Sequence, residues 1–98
     1  MKPSIAEIQV AVAERFSTTV EKMLSSRKVM PRQLAMYVAR KYTTKSLPEI
    51  SRFFHTTHVA VIKGVKDAEK RLREDCGLKS TTIEILAKLG CEWDEEEG

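Results

Sequence analysis

Ser46-Leu-Pro-Glu-Ile-Ser-Arg-Phe-Phe-His-Thr-Thr-His-Val-Ala-Val-Ile-Lys-Gly-Val65 is the stretch whose reading decides the fold of this 98-residue chain. It reads as a helix, a tight turn and a second helix. Ser46 and Glu49 stand at Ser-x-x-Glu spacing, so the hydroxyl caps the first helix while the carboxylate reaches back. Pro48 is tolerated because first-turn N–H groups have no intrahelical partner. Ile50, Phe53 and Phe54 supply a short apolar face. His55-Thr56-Thr57 interrupts it, and Thr57 or Thr56 caps the next helix. Val61, Val65, Ala68 and Leu72 then recur at helical spacing. Lys63, Lys66, Lys70 and Arg73 recur at the same spacing on another face, where they can meet phosphates. An ordinary helical hairpin with a solvated basic face presents the same residues, so the discrimination lies in the flanking sequence.

One domain with a modest core fits this length. No apolar run approaches the ~20 residues of a membrane span. Met1-Lys-Pro-Ser4 leads straight into a capped amphipathic segment, so the expectation is a cytosolic protein without a signal peptide. Cys76 and Cys91 lack a Cys-x-x-Cys arrangement or a histidine at metal spacing, and read as free thiols. The net charge of +3 is strongly partitioned. Residues 1–26 are neutral. Residues 27–73 hold twelve Lys/Arg against three acids, and residues 74–98 hold two bases against eight acids. The basic excess thus coincides with the helix pair and what leads into it, which favours a polyanionic partner.

Ser4-Ile-Ala-Glu7 is a second capping box. It opens a helix to about Phe16 with Ile5, Ile8, Val12 and Phe16 on one face. Thr18-Thr-Val-Glu21 is a third, opening a short helix to about Leu24. Ser25–Met30 is a connection carrying Arg27 and Lys28. Pro31 fits the first turn of a helix from Arg32 to about Tyr42, with Leu34, Ala35, Val38 and Tyr42 inward. The second helix of the opening stretch is expected from about His58 to Glu74. Gly77 suits a left-handed C-cap for it. Ser80 or Thr81 then caps a last helix, with Thr81–Glu84 as a fourth box and Ile83, Leu86, Ala87 and Leu89 as its apolar face. Gly90 stops it. Residues 91–98 read as a flexible acidic tail, with Trp93 available to pack back. The whole is all-α, about six helices, organised as a helical domain over 1–90 and a tail over 91–98.

Enzyme chemistry finds no support. The phosphate-cradling Gly-x-x-x-x-Gly-Lys-Ser/Thr pattern and His-Glu-x-x-His are absent. His55 and His58, three apart, could share a helix face but have no further ligand in the same turn. The acidic run Glu95–Glu97 reads as solvated charge, not paired catalytic carboxylates. No cofactor or metal is implied.

Met30-Pro-Arg-Gln-Leu-Ala-Met-Tyr-Val-Ala-Arg-Lys41, followed by Ser46-Leu-Pro-Glu-Ile50, resembles the C-terminal DNA-binding domain of the bacterial replication initiator DnaA. In that family a Pro-Arg-Gln-x-Ala-Met helix leads into a Ser-Leu-Pro-Glu-Ile-Gly helix at this spacing. Ile8 to Phe16 is similar to the family's opening pattern, and the resemblance covers roughly residues 4–74. It implies a helix-turn-helix fold, Trp-repressor-like, that binds double-stranded DNA in the cytoplasm at the nucleoid and serves origin recognition. It further implies that Arg32, Gln33 and Arg40 lie near the phosphate backbone. Ser46, Leu47 and Pro48 would sit at the rim of the major groove, and Arg27 and Lys28 would take the place of the family's minor-groove basic loop.

Two segments depart from the family. Ser25–Met30 is shorter and less basic than its loop. Its base-reading signature Gly-Arg-Asp-His-Thr-Thr-Val is not intact. A one-residue deletion in the turn sets His58-Val-Ala-Val61 against His-Thr-Thr-Val and keeps Val61, Val65, Ala68 and Leu72 in phase. His55, Thr56 and Thr57 then fill the turn, and Val59 and Ala60 replace two threonines. The shortened turn is similar to a repressor-type helix-turn-helix, whose exposed positions would be Thr57, His58, Val59, Ile62, Lys63 and Lys66. Lys63 and Lys66 suit phosphates or guanine edges, and Val59 a thymine methyl. A transcriptional regulator using the same helix stays open. So does a helical protein-interaction module, because the acidic tail could bind a partner or shield the basic face.

Overall fold

The computed structural model describes residues 3–25 and 30–93, which contain helices and no strand. In chain order the helices are α1 (Ile5–Arg15), α2 (Val20–Ser25), α3 (Arg32–Tyr42), α4 (Leu47–Phe53), α5 (His58–Glu74) and α6 (Cys76–Lys88). This is the all-α architecture anticipated above, with α4 and α5 as the helix-turn-helix.

The middle of α3 is its core. Leu34, Ala35, Met36, Tyr37, Val38 and Ala39 are all buried, because α1, α4 and α5 each pack against it. A helix covered on several sides is apolar most of the way round. The inward face therefore takes in Met36 and Ala39, which flank the expected stripe, and also Tyr37, while Tyr42 is only half-buried. Gly64 sets how closely α5 approaches. A Cβ there would stand 2.8 Å from the Met36 sulfur and 3.5 Å from Gln33 Cγ. Ile5, Ile8 and Val12 from α1, Met23 from α2, Ile50 and Phe54 from the α4 end, Val61, Ala68 and Leu72 from α5, and Ile85 and Leu86 from α6 complete the cluster.

Local chemistry explains the helix ends. Ser4 caps α1 in a complete box: its hydroxyl accepts from the Glu7 N–H at 3.1 Å, and the Glu7 carboxylate accepts from the Ser4 N–H at 2.9 Å. The Ser4 backbone N–H first, and the Ser4 hydroxyl second, hold the Glu7 carboxyl below its usual pKa. α1 stops at Arg15, one residue before the expected end. Ser17 there adopts φ 55°, and the Thr18 N–H closes onto the Ala13 carbonyl at 2.9 Å, a 6→1 closure typical of helix C-termini. Thr18 does not cap α2. Thr19 replaces it, its hydroxyl accepting from the Lys22 N–H at 3.2 Å. Pro31 likewise sits at the N-cap of α3, not inside its first turn.

The start of α6 departs most from expectation. Asp75 has extended backbone and serves both as the last cap of α5 and the first of α6. Its N–H donates to the Arg71 carbonyl at 2.8 Å, and its carboxylate accepts from the Leu78 N–H at 3.1 Å. One residue thus redirects the chain, so Gly77 lies inside α6 rather than ending α5, and neither Ser80 nor Thr81 caps anything. The proposed box at Thr81–Glu84 falls mid-helix, where the buried Thr82 donates its hydroxyl to the Leu78 carbonyl at 2.8 Å. Packing against α1 and α5 decides which face is inward. Thr82, Ile85 and Leu86 are buried against α1 and α5, whereas Ile83 and Ala87 are exposed. Gly90 ends the helix at φ 77°, a conformation that suits glycine. Cys91 and Trp93 then pack against the core. Residues 94–98 lie outside the described residues. Across the surface, Arg15 meets Glu84 at 3.0 Å, an exposed pair contributing little.

Phe54 is the largest fully buried side chain. Phe54→Ala is expected to lower stability by about 3–5 kcal/mol, read as a shift in the urea midpoint at unchanged slope.

Candidate nucleic-acid interface

The outward surface of the helix-turn-helix is built by α4, the four residues 54–57 and the first turns of α5. Ser46 caps α4, its hydroxyl accepting from the Glu49 N–H at 3.4 Å. The reciprocal half of the expected box is absent. The Glu49 carboxylate instead lies 3.5 Å from the Ser46 hydroxyl and 3.9 Å from the Lys45 ammonium, because a neighbouring cation competes for it. Ser51 is buried and donates its hydroxyl to the Leu47 carbonyl at 2.8 Å. Of the apolar residues assigned to α4, Ile50 and Phe54 point inward but Phe53 is 44% exposed. It follows Ile50 by three residues, and Phe54 by four takes the core position.

The turn satisfies its own backbone. His55 adopts φ 53°. Its N–H donates to the Arg52 carbonyl at 3.2 Å, and the Thr56 N–H to the Ser51 carbonyl at 3.0 Å. The Phe53 carbonyl accepts from the Gln9 side chain of α1 at 3.0 Å. Thr57, not Thr56, caps α5 through the Ala60 N–H at 3.2 Å. His55 therefore lies in the turn, and His55 and His58 do not share a helix face. No cluster of three or more His, Cys, Asp or Glu suited to a metal occurs among the described residues.

On α5, Val61, Gly64, Ala68 and Leu72 face inward. His58, Val59, Ile62, Lys63, Lys66, Lys70 and Arg73 are exposed. Gly64 takes an inward position beside Val61, and Val65, expected inward with them, is half-buried. Pro48, Ser51, Arg52, Thr56, Thr57, His58 and Val59 line a shallow hollow between α4 and the start of α5. Five residues expected at the site, Pro48, Thr56, Thr57, His58 and Val59, thus converge there. Arg52 was not anticipated. Its signal in the sequence was a basic residue out of phase with Ile50 and Phe54, hence outward.

The remaining expected residues are distributed more widely. Ser46 is exposed at the α4 cap and Leu47 is half-buried. Arg32 and Gln33 occupy the first turn of α3 and Arg40 the last, about 12 Å further along the axis. Arg32 is half-buried with its Nε unpartnered. Gln33 donates to the Asp67 carboxylate of α5 at 3.1 Å, so it braces that helix. Lys41 is drawn away, over the rings of Tyr37 at 5.5 Å, Tyr42 at 5.8 Å and Trp93 at 5.6 Å. Arg27 and Lys28 lie outside the described residues.

A family model described as the bacterial dnaA protein helix-turn-helix matches residues 5–67. The chain is 47% identical over 77 residues to the chromosomal replication initiator protein DnaA of Wolbachia sp. subsp. Brugia malayi, a match covering 74% of this chain and 17% of that protein. It is 44% identical over 87 residues to the DnaA protein of Ehrlichia ruminantium (strain Gardel), covering 84% and 18%. With that of Anaplasma marginale it shares 41% over 91 residues, covering 88% and 19%. The chain thus spans about a fifth of the length of these curated relatives.

His55 holds a left-handed conformation that costs a non-glycine residue roughly 1 kcal/mol. His55→Gly is accordingly expected to raise the melting temperature by a few degrees, on the order of 4–8 °C per kcal/mol for a domain of this size. A fall in melting temperature would show that the imidazole itself supports the turn.

Proposed function

The chain belongs to the bacterial DnaA helix-turn-helix family, and from that premise we propose that it binds double-stranded DNA with sequence preference, laying α5 in the major groove as in origin recognition. The observation that carries this is the outward face of α5. A capped N-terminus bearing His58 and Val59 gives way to Lys63, Lys66 and Lys70, all exposed. Helix N-terminal residues of such motifs meet base edges, while lysines neutralise phosphates and position the protein. His58 and Val59 would read bases, Lys63 and Lys66 would meet phosphates or guanine edges, and His55, Thr56 and Thr57 would line the backbone beside the turn. Ser46, Leu47 and Pro48 would border the groove. Arg32, Gln33 and Arg40 would follow the phosphate track, with Arg27 and Lys28 supplying a minor-groove contact. The partner DNA would place the protein at the nucleoid, and replication initiation is the process the relatives' names suggest.

Duplex binding should weaken linearly in log affinity against log salt, with a slope corresponding to several phosphates. Lys63→Ala and Lys66→Ala should each weaken binding and reduce that slope by about one. Arg27→Ala should lower affinity most for sites with a narrow, A·T-rich minor groove. Duplex affinity indifferent to salt and to all three changes would overturn the proposal.

A second reading, self-shielding by the C-terminal acids, has its own support. The Trp93 ring lies 5.6 Å from the Lys41 ammonium and 5.5 Å from that of Lys79. Trp93 thus lies beside the basic end of α3, and the acids Asp94-Glu-Glu-Glu97 that follow it in sequence would compete there with phosphate. Removing residues 94–98 should tighten duplex binding, most at low salt. Unchanged affinity would show that the tail does not shield. Failure to bind duplex with or without the tail would favour a helical interaction module.

A further inference from the structure

The last turn of α3 carries a lysine in an aromatic cage. The Lys41 ammonium stands 5.5 Å from the centre of the Tyr37 ring, 5.8 Å from that of Tyr42 and 5.6 Å from that of Trp93. All three distances lie inside the roughly 6 Å at which a ring face attracts a cation. The ammonium also donates to the Tyr37 hydroxyl at 3.2 Å. These partners are all neutral, and Lys41 makes no ion pair among the described residues. Tyr37 and Tyr42 stand on α3 itself. The third wall, Trp93, is brought by the chain as it leaves α6, and its ring also lies 5.5 Å from the Lys79 ammonium.

That third wall is lightly held. Gly90 turns the chain at φ 77°, and the Cys91 N–H closes onto the Leu86 carbonyl at 2.8 Å. Beyond it, no backbone hydrogen bond ties Glu92 or Trp93 to the described residues. The Trp93 indole N–H is buried without an acceptor. A buried donor left unpaired favours the state in which water reaches it, so the seat of the ring carries its own opposition. Lys41, on a flexible four-carbon stem, adjoins the exposed Arg40. A phosphate would offer its ammonium charge-assisted hydrogen bonds, stronger than those to neutral groups. Resting on the DNA-binding proposal above, we propose that residues 90–93 form a latch on Lys41. Closed, Trp93 holds the ammonium against α3. Open, Lys41 joins Arg40 as a phosphate contact, so duplex and indole compete for one cation. The latch acts through the ring, not through the acids that follow it.

Trp93 is the single tryptophan of the chain, so its emission reports the latch. Titrating the full chain with a duplex selected from a random pool should move that emission to longer wavelength, as the indole leaves its seat for water. Without DNA, a small acylating reagent followed by mass spectrometry should modify Lys41 several-fold more slowly than the exposed Lys45 and Lys63. Trp93→Ala should remove that protection. Trp93→Leu, which keeps an apolar side chain but no ring, should do the same and so separates the cage from packing. In duplex binding, Trp93→Ala should steepen the slope of log affinity against log salt by about one. That is an additional loss of about 3.5-fold between roughly 50 and 200 mM salt, and it should vanish when Lys41→Ala is added. Lys41 acylated as fast as Lys45 and Lys63 in the unaltered chain would overturn the latch. So would a salt slope that Trp93→Ala leaves unchanged, or emission indifferent to duplex. Each of those results leaves DNA binding standing. Absence of any duplex binding would instead overturn the DNA-binding proposal, and this inference with it.

Discussion

The seating of α5 on α3 is the constraint on which the rest of the molecule depends. At Gly64 the two helices come so close that a Cβ would stand 2.8 Å from the Met36 sulfur. One turn away, Asp67 accepts from Gln33 across the same interface. Together these contacts fix both the depth and the rotation of α5. With Gly64 and Val61 turned inward, helical period obliges Val59, Ile62, Lys63 and Lys66 to turn outward. The surface offered to a partner is thus the complement of a packing decision made in the core.

The turn before α5 sets where that surface begins. Its backbone is satisfied by Arg52, Ser51 and the Gln9 side chain, and the left-handed residue at its centre is His55. Phe54 anchors one side in the core, and Thr57 closes the other by capping α5. A turn of this length brings α4 and the first turn of α5 around one shallow hollow. The turn thereby sets His58 and Val59, the first residues of α5, beside Pro48 and Arg52.

Much of this was legible before any coordinates. The caps at Ser4, Ser46 and Thr57 and the stop at Gly90 are local, because a side-chain oxygen reaching an N–H three residues on, or a glycine at positive φ, needs no distant partner. The mistaken boundaries share one cause. Several residues could serve the same role, and their neighbours chose between them. Thr18 closes α1, and α2 starts one residue further on, with Thr19 as its cap. Asp75 had both an N–H for α5 and a carboxylate for α6, so Gly77 and Thr81 lost the roles their types suggest. Glu49 found Lys45 and the Ser46 hydroxyl, and its capping box stayed half-formed. At the interface, no sequence motif includes Arg52, and nothing local to Lys41 shows that three aromatic rings hold it.

By itself, then, the sequence determined the all-α class, the helix-turn-helix with its order of helices, the basic middle and the family. Periodicity, capping chemistry and a two-part motif at fixed spacing are properties of neighbouring residues, and neighbours are what a sequence lists. Only the tertiary structure decided which sides of α3 and α6 are covered, that Phe53 faces out, that Gln33 braces α5, and which side chains share the hollow beside Val59. Those outcomes depend on residues far apart in the chain competing for the same space and the same hydrogen-bond partners, a competition settled when the helices pack.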